Sequence, residues 1–235
     1  MTSESASQTE PWIEKTGAKY PYAYDKGGKV ARFFGVSGIP HAILVDPGGQ
    51  VVWRGHPASL DAGTIEPALD GALTRPLYSW PSAAKAAAKE ILQGDFAGAL
   101  DKAAKISEAD GGPGIVAEIR GIIENRLSTA EAALSEGNFY GAQEMGEALV
   151  KGLKGLPEQE RAQKVVDDVD AHPDAKKVLD AQKKIRKIRS KEPSKRKEVE
   201  KAMEDMKDII KELPGTYAAK EASAYMEQLR GLLRR

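Results

Sequence analysis

The residues that could do chemistry in this chain are few. Cysteine is absent, which removes thiolate nucleophiles, disulfides and thiolate metal ligands together, and with them the usual compositional clue to redox compartment. The three histidines, His41, His56 and His172, form no His-x-x-x-His pair and no cluster with carboxylates of metal-ligand spacing. Gly27-Gly28 and Gly48-Gly49 lack the following Lys-Ser/Thr of a phosphate-cradling loop and read as turns. No nucleophile elbow and no paired general acid and base is visible. The expectation is no catalytic residue, no metal and no cofactor. One segment still calls for explanation, Gly38-Ile39-Pro40, which leads into an apolar run.

The elements around that segment can be read from periodicity. His41-Ala42-Ile43-Leu44-Val45-Asp46 and Val51-Val52-Trp53-Arg54 are strand signals joined by Pro47-Gly48-Gly49-Gln50, which supplies hairpin-turn dihedrals. The unbroken run Ala42 to Val45 predicts a strand covered on both faces, inside a sheet. Val30, Phe33 and Phe34 share one face of a helix over Lys29–Phe34, which Gly35-Val36-Ser37-Gly38 turns off. Ile65, Ala68, Leu69 and Leu73 predict a second helix over Thr64–Leu73. The order is helix, strand, strand, helix.

These residues carry a family resemblance. Tyr20-Pro21-Tyr22-Ala23-Tyr24-Asp25, then Val30-Ala31-Arg32-Phe33-Phe34-Gly35-Val36-Ser37-Gly38-Ile39-Pro40, then Ile43-Leu44-Val45-Asp46-Pro47-Gly48-Gly49, resemble the second half of TlpA-like thiol-disulfide oxidoreductases of the thioredoxin superfamily, which are often periplasmic or membrane-anchored. Thr2-Ser3-Glu4-Ser5 and Glu10-Pro11-Trp12-Ile13-Glu14-Lys15 resemble the loop and helix that precede that half. The resemblance implies a cis bond at Ile39-Pro40, in a loop that faces the family's Cys-x-x-Cys and offers the backbone of Ile39 to an extended substrate chain. Gly38, Ile39 and Pro40 are thus the implied substrate-binding residues.

The family's opening strand, cysteine helix and central strand have no counterpart here. The expectation is a redox-inactive form with an exposed edge on the strand His41 to Asp46, met by pairing with another chain, by swapping or by helical cover. Natural loss of activity, a start assigned too far downstream and a fragment all remain open at this point. So does an active oxidoreductase whose Cys-x-x-Cys lies upstream or in a partner chain.

From Ser82 onward the chain is rich in Ala, Glu, Lys and Leu, punctuated by Gly and Pro, and strand signals cease. Helices are expected at Ala83–Gln93, Phe96–Ser107, Ile115–Ser135, Phe139–Leu153, Glu158–Val169, Asp174–Arg189, Lys195–Leu213 and Tyr217–Leu233, with short breaks that favour helical hairpins. Leu92-Gln93-Gly94-Asp95-Phe96-Ala97-Gly98-Ala99 and Ser135-Glu136-Gly137-Asn138-Phe139-Tyr140-Gly141-Ala142 are alike, with Gly94 and Gly137 43 residues apart. Such turns resemble those of tetratricopeptide-type repeats, although the usual period is about 34. Pro214-Gly215-Thr216-Tyr217 looks like a third turn of this kind. The organisation expected is α+β: a truncated thioredoxin-like domain over 1–78, then an all-α, tetratricopeptide-like domain over 79–235. The second domain reads either as a scaffold for protein contacts or as a bundle packed on the first.

Charge narrows the partners. Thirty-five Lys and Arg balance 35 Asp and Glu, so no global attraction to nucleic acid or anionic membrane is expected. Between Lys176 and Lys201 lie 12 Lys or Arg against Asp180, Glu192, Glu198 and Glu200. That stretch could meet anions as a helical adaptor. A solvated face is the favoured reading, because Val178, Ile185 and Ile188 supply the apolar stripe and no aromatic residue interleaves. Trp12, Trp53 and Trp80 are expected as core or inter-domain anchors. No apolar run is long enough to span a bilayer, and the Ser/Thr/Glu-rich start carries no basic-then-apolar signal, so the chain reads as soluble, with no compartment indicated. The partners expected are a protein or a second copy, met through the strand edge and the helical tail.

Overall fold

In a computed structural model, every residue is described except 1, 3, 18–22, 37, 74, 192, 194, 234 and 235. Tyr20, Pro21, Tyr22, Ser37 and Ser3 of the resemblance therefore lie outside the described residues. Among those described, the fold is mixed but mostly helical, with eleven α-helices and a single two-stranded sheet. The chain divides into two compact units, Met1–Ile43 with Arg54–Leu60 and Leu44–Trp53 with Asp61–Arg235. The division runs through the β-hairpin, whose turn half belongs to the second unit.

The first unit opens with α1 (Ala6–Thr16), where Gln8 Oε1 accepts the Ser5 N–H at 2.9 Å and Gly17, at φ +62°, closes the helix. The segment Glu10–Lys15 is its second half. A parallel bridge joins Thr2 to Tyr24. α2 (Lys29–Phe33) is started by Asp25, whose two carboxylate oxygens accept the N–H groups of Val30 and Ala31 at 2.9 Å each. These bonds satisfy first-turn donors and hold the Asp25 carboxyl below its ordinary range. α2 ends at Gly35 in the left-handed region, close to the expected boundary.

β1 (Ala42–Val45) and β2 (Val51–Gly55) form the expected antiparallel hairpin. Its turn is pinned by Asp46, whose N–H donates to Gln50 O at 2.9 Å and whose Oδ1 accepts the Gln50 N–H at 2.8 Å. The expectation of a strand covered on both faces is not met. Ala42, Ile43 and Leu44 are half-buried, Val45 is 43% exposed, and β1 has no second neighbour among the described residues. An apolar run reports only what could be covered, and two strands supply one covered edge.

The helix expected over Thr64–Leu73 is also corrected. α3 (Ala62–Ile65), capped by Asp61 Oδ1 on the Thr64 N–H at 2.8 Å, gives way to a 3₁₀ turn over Glu66–Leu69. Pro67 has no N–H to continue the α pattern.

The remaining helices match the sequence expectations within a few residues. They are α4 (Lys85–Gln93), α5 (Phe96–Ala103), α6 (Gly112–Ser135), α7 (Phe139–Gly152), α8 (Gln159–Ala171), α9 (Ala175–Arg189), α10 (Arg196–Glu212) and α11 (Tyr217–Leu233). The largest difference is α5, which stops at Ala103 instead of Ser107. The chain there bends so that Gly112 packs on the Ile106 carbonyl, where a Cβ would stand 2.2 Å from the oxygen.

Consecutive helices pack as hairpins, α4 with α5, α6 with α7 and α10 with α11; α8 packs against α7, and α9 lies against both α7 and α11. Every buried hydrophobic side chain among the described residues lies between Trp80 and Leu229. The anchoring role expected of the tryptophans holds for Trp80, 3% exposed, but not for Trp12, 52% exposed on a helix that buries none of its residues.

Candidate functional site

The segment Gly38-Ile39-Pro40 is separated from β1 by one residue, His41, with α2 and its Gly35 turn upstream. The Ile39–Pro40 peptide bond is cis. Gly38, Ile39 and Pro40 are all exposed, and Ile39 is the most exposed large hydrophobic residue described, at 93%. Phe33, on the last turn of α2, is 76% exposed and meets Phe34 edge-to-face at 5.0 Å. The first unit therefore carries bare apolar groups on short, well-capped elements.

In the second unit the two similar turns have one geometry. Gly94 and Gly137 both take positive φ, +79° and +75°, which an L side chain would resist. Asp95 Oδ1 accepts the Gly98 N–H at 2.8 Å, and Asn138 Oδ1 accepts the Gly141 N–H at 3.1 Å, capping α5 and α7 alike. Phe96 and Phe139 then enter the core at 3% and 4% exposure, followed by Ala99 and Ala142, both fully buried. The turn at Gly215, φ +77°, is related: Thr216 Oγ1 accepts the Ala219 N–H at 3.3 Å at the start of α11. At the end of α7, Gly152 meets the first of these turns so closely that a Cβ would stand 2.0 Å from the Gly94 carbonyl oxygen.

Sequence reasoning missed a buried polar network at the junction of α7, α9 and α11. Gln182, fully buried within the apolar stripe of α9, accepts the Tyr140 N–H on Oε1 at 3.0 Å and donates from Nε2 to Asn138 Oδ1 at 2.8 Å. The available signal was a glutamine at a core position between Ala181 and Ile185, where polar groups are kept only when hydrogen-bonded. Arg186 lies over the Tyr140 ring at 4.1 Å and Arg189 over the Tyr225 ring at 5.1 Å. Aromatic partners for the basic stretch thus come from α7 and α11, not from its own sequence.

Elsewhere along that stretch the favoured reading agrees with the packing. Val178 and Ile185 are buried, Ile188 is partly buried, and the lysines face outward. Lys184 pairs with Asp205 of α10 at 2.7 Å. Across the α6–α8 seam, Arg161 holds Glu124 at 2.7 and 3.1 Å and Glu131 at 3.0 Å through forked contacts. These bonds lower the Glu124 carboxyl and raise the guanidinium. Among the described residues no group of three or more metal-ligating side chains converges, and no helix is long and apolar enough to cross a membrane.

Neither protein-family models, nor curated proteins, nor solved structures give a match to this chain.

Proposed function

We propose that the chain is a binding protein of TlpA-like, thioredoxin-superfamily type, redox-inactive in this cysteine-free form, whose Gly38–Ile39–Pro40 corner presents main-chain groups and an apolar side chain to an extended polypeptide. Its helical region, in this reading, is a tetratricopeptide-like scaffold for protein contacts. The observation that carries the reading is Ile39, bare at 93% three residues before a strand whose second edge is unpaired among the described residues. An extended segment laid beside β1 would take up main-chain groups of that edge and cover Ile39 in the same step. The like geometry of the turns at Gly94 and Gly137 supports the scaffold part, since stacked helical hairpins bury their faces on one another.

The test is binding of a fluorescently labelled, reduced and alkylated unfolded polypeptide, followed by anisotropy, with Ile39→Asp as the variant. Wild type binds and Ile39→Asp binds about tenfold more weakly, a loss of about 1.4 kcal/mol. Its melting temperature stays unchanged, because so exposed a side chain carries little stability. Equal binding by the two proteins refutes the assignment of the corner, and disulfide reduction by the chain refutes redox inactivity.

A further inference from the structure

Glu221 is packed into the second unit with one of its two carboxylate oxygens unmatched. It lies one turn into α11, its side chain 16% exposed, and its Oε2 has no solvent access and no hydrogen-bond partner among the described residues. An inaccessible carboxylate oxygen with no donor penalises the charged form.

The groups that could offset this penalty are shared with other partners. On α9, Arg186 and Arg189 are drawn onto the rings of Tyr140 and Tyr225. Arg189 Nη1 comes only to 3.7 Å of Glu221 Oε1, beyond hydrogen-bond reach. Gln182 counts among the groups that oppose the penalty, but its amide is committed to the Tyr140 N–H and Asn138 Oδ1 at 3.0 and 2.8 Å. On α11 itself the neighbours are Tyr217 and Tyr225, whose phenols burial pushes up, and Glu136, just before α7, adds negative charge beside Tyr217. The seam holds cations nearby and still leaves one oxygen bare.

We propose that Glu221 is a proton-operated latch between α9 and α11: uptake of one proton neutralises the carboxylate with its bare Oε2 and tightens the seam. Burial, the largest influence, raises the carboxyl above its ordinary range, while Arg186, Arg189 and Gln182 oppose it. The folded chain then holds a proton that the unfolded chain has lost. Its stability rises as pH falls through the folded pKa and levels off below the unfolded one. Acid normally weakens a fold through carboxylates such as Glu124, so this device runs against the general trend.

Two measurements on the full chain test it. In a ¹³C NMR titration of the glutamate carboxyls, the Glu221 midpoint lies above the ordinary carboxylate range. In thermal melts, Glu221→Gln, which keeps shape and loses charge, melts above wild type at neutral pH by about 2–4 °C, and the gap closes in acid. A Glu221 midpoint within or below the ordinary carboxylate range overturns the latch. So does a Glu221→Gln protein that melts at or below wild type at neutral pH.

Discussion

Replacing Gln182 by methionine tests whether the helical unit depends on a buried polar junction or merely tolerates one. The two side chains are of similar length, so the substitution keeps the volume of a fully buried position and removes the amide. What it strands is the Tyr140 N–H, a first-turn donor of α7 that has only Gln182 Oε1 for a partner among the hydrogen bonds described. Asn138 Oδ1 loses one donor and keeps the Gly141 N–H, so it is not orphaned. An orphaned buried donor costs about 1–3 kcal/mol, and since the Tyr140 N–H is only partly buried, Gln182→Met is expected toward the lower end of that range. Gln182→Ala adds an unfilled cavity and is expected to cost about 3–5 kcal/mol. The assay is urea unfolding followed by circular dichroism, with Asn138→Ala and the double variant completing a cycle. A coupling of about 0.5–3 kcal/mol between the two sites is expected, because they share a hydrogen bond. If Gln182→Met unfolds at or above the wild-type midpoint, the amide is not holding the junction, and the reading of a polar clasp is wrong.

Two further outcomes follow from packing and charge. Gly152→Ala sets a methyl group against the Gly94 carbonyl at a separation no Cβ tolerates, so the α7 end must shift; a loss of about 1–3 kcal/mol is expected in the same unfolding assay. Arg161→Met removes the clamp between α6 and α8, and since Arg161 and Glu124 are 42% and 56% exposed, its cost at neutral pH is expected to be only about 0.5 kcal/mol. The Glu124 carboxyl is lowered in the fold by this arginine, so the stabilisation is fully present above the unfolded pKa and disappears as pH falls through the folded one. Melts of the two proteins should therefore converge in acid, and a gap that widens there would contradict the assignment.

The helices from Lys85 onward were legible because each rule acts within a few residues. Gly at the stop, Asp, Asn or Thr at the cap and Phe or Tyr after it are chain-local, and the turns at Gly94, Gly137 and Gly215 use them as expected. Where the reading failed, the deciding quantity was not local. Ala42–Val45 reads the same whether a strand has neighbours on one side or two, and Trp12 reads the same whether its helix has a core to face. Pro67 is the exception, a local signal that the apolar spacing of Ile65, Ala68 and Leu69 outweighed, although a missing N–H removes one bond of the α pattern and here gives way to a 3₁₀ turn.

The candidate sites divide along the same line. The corner at Gly38, Ile39 and Pro40 is three consecutive residues, so a motif could point to it, and its exposure needed only the absence of a covering element. The junction at Gln182 joins residues 42 and 44 positions apart, and no window along the sequence contains both ends. A glutamine inside an apolar stripe still carries one inference by itself: a fully buried amide demands partners on another element. Asn138 meets that demand because it is already fixed as the α7 cap. Its Oδ1 bonds Gly141 within its own helix and Gln182 on another, so this turn also registers α9 against α7. At the earlier turn Asp95 performs the capping bond with its Oδ1 and has no such partner among the hydrogen bonds described. The two turns are alike in sequence and differ in use, which is why similarity between them located the hairpins and could not locate the junction.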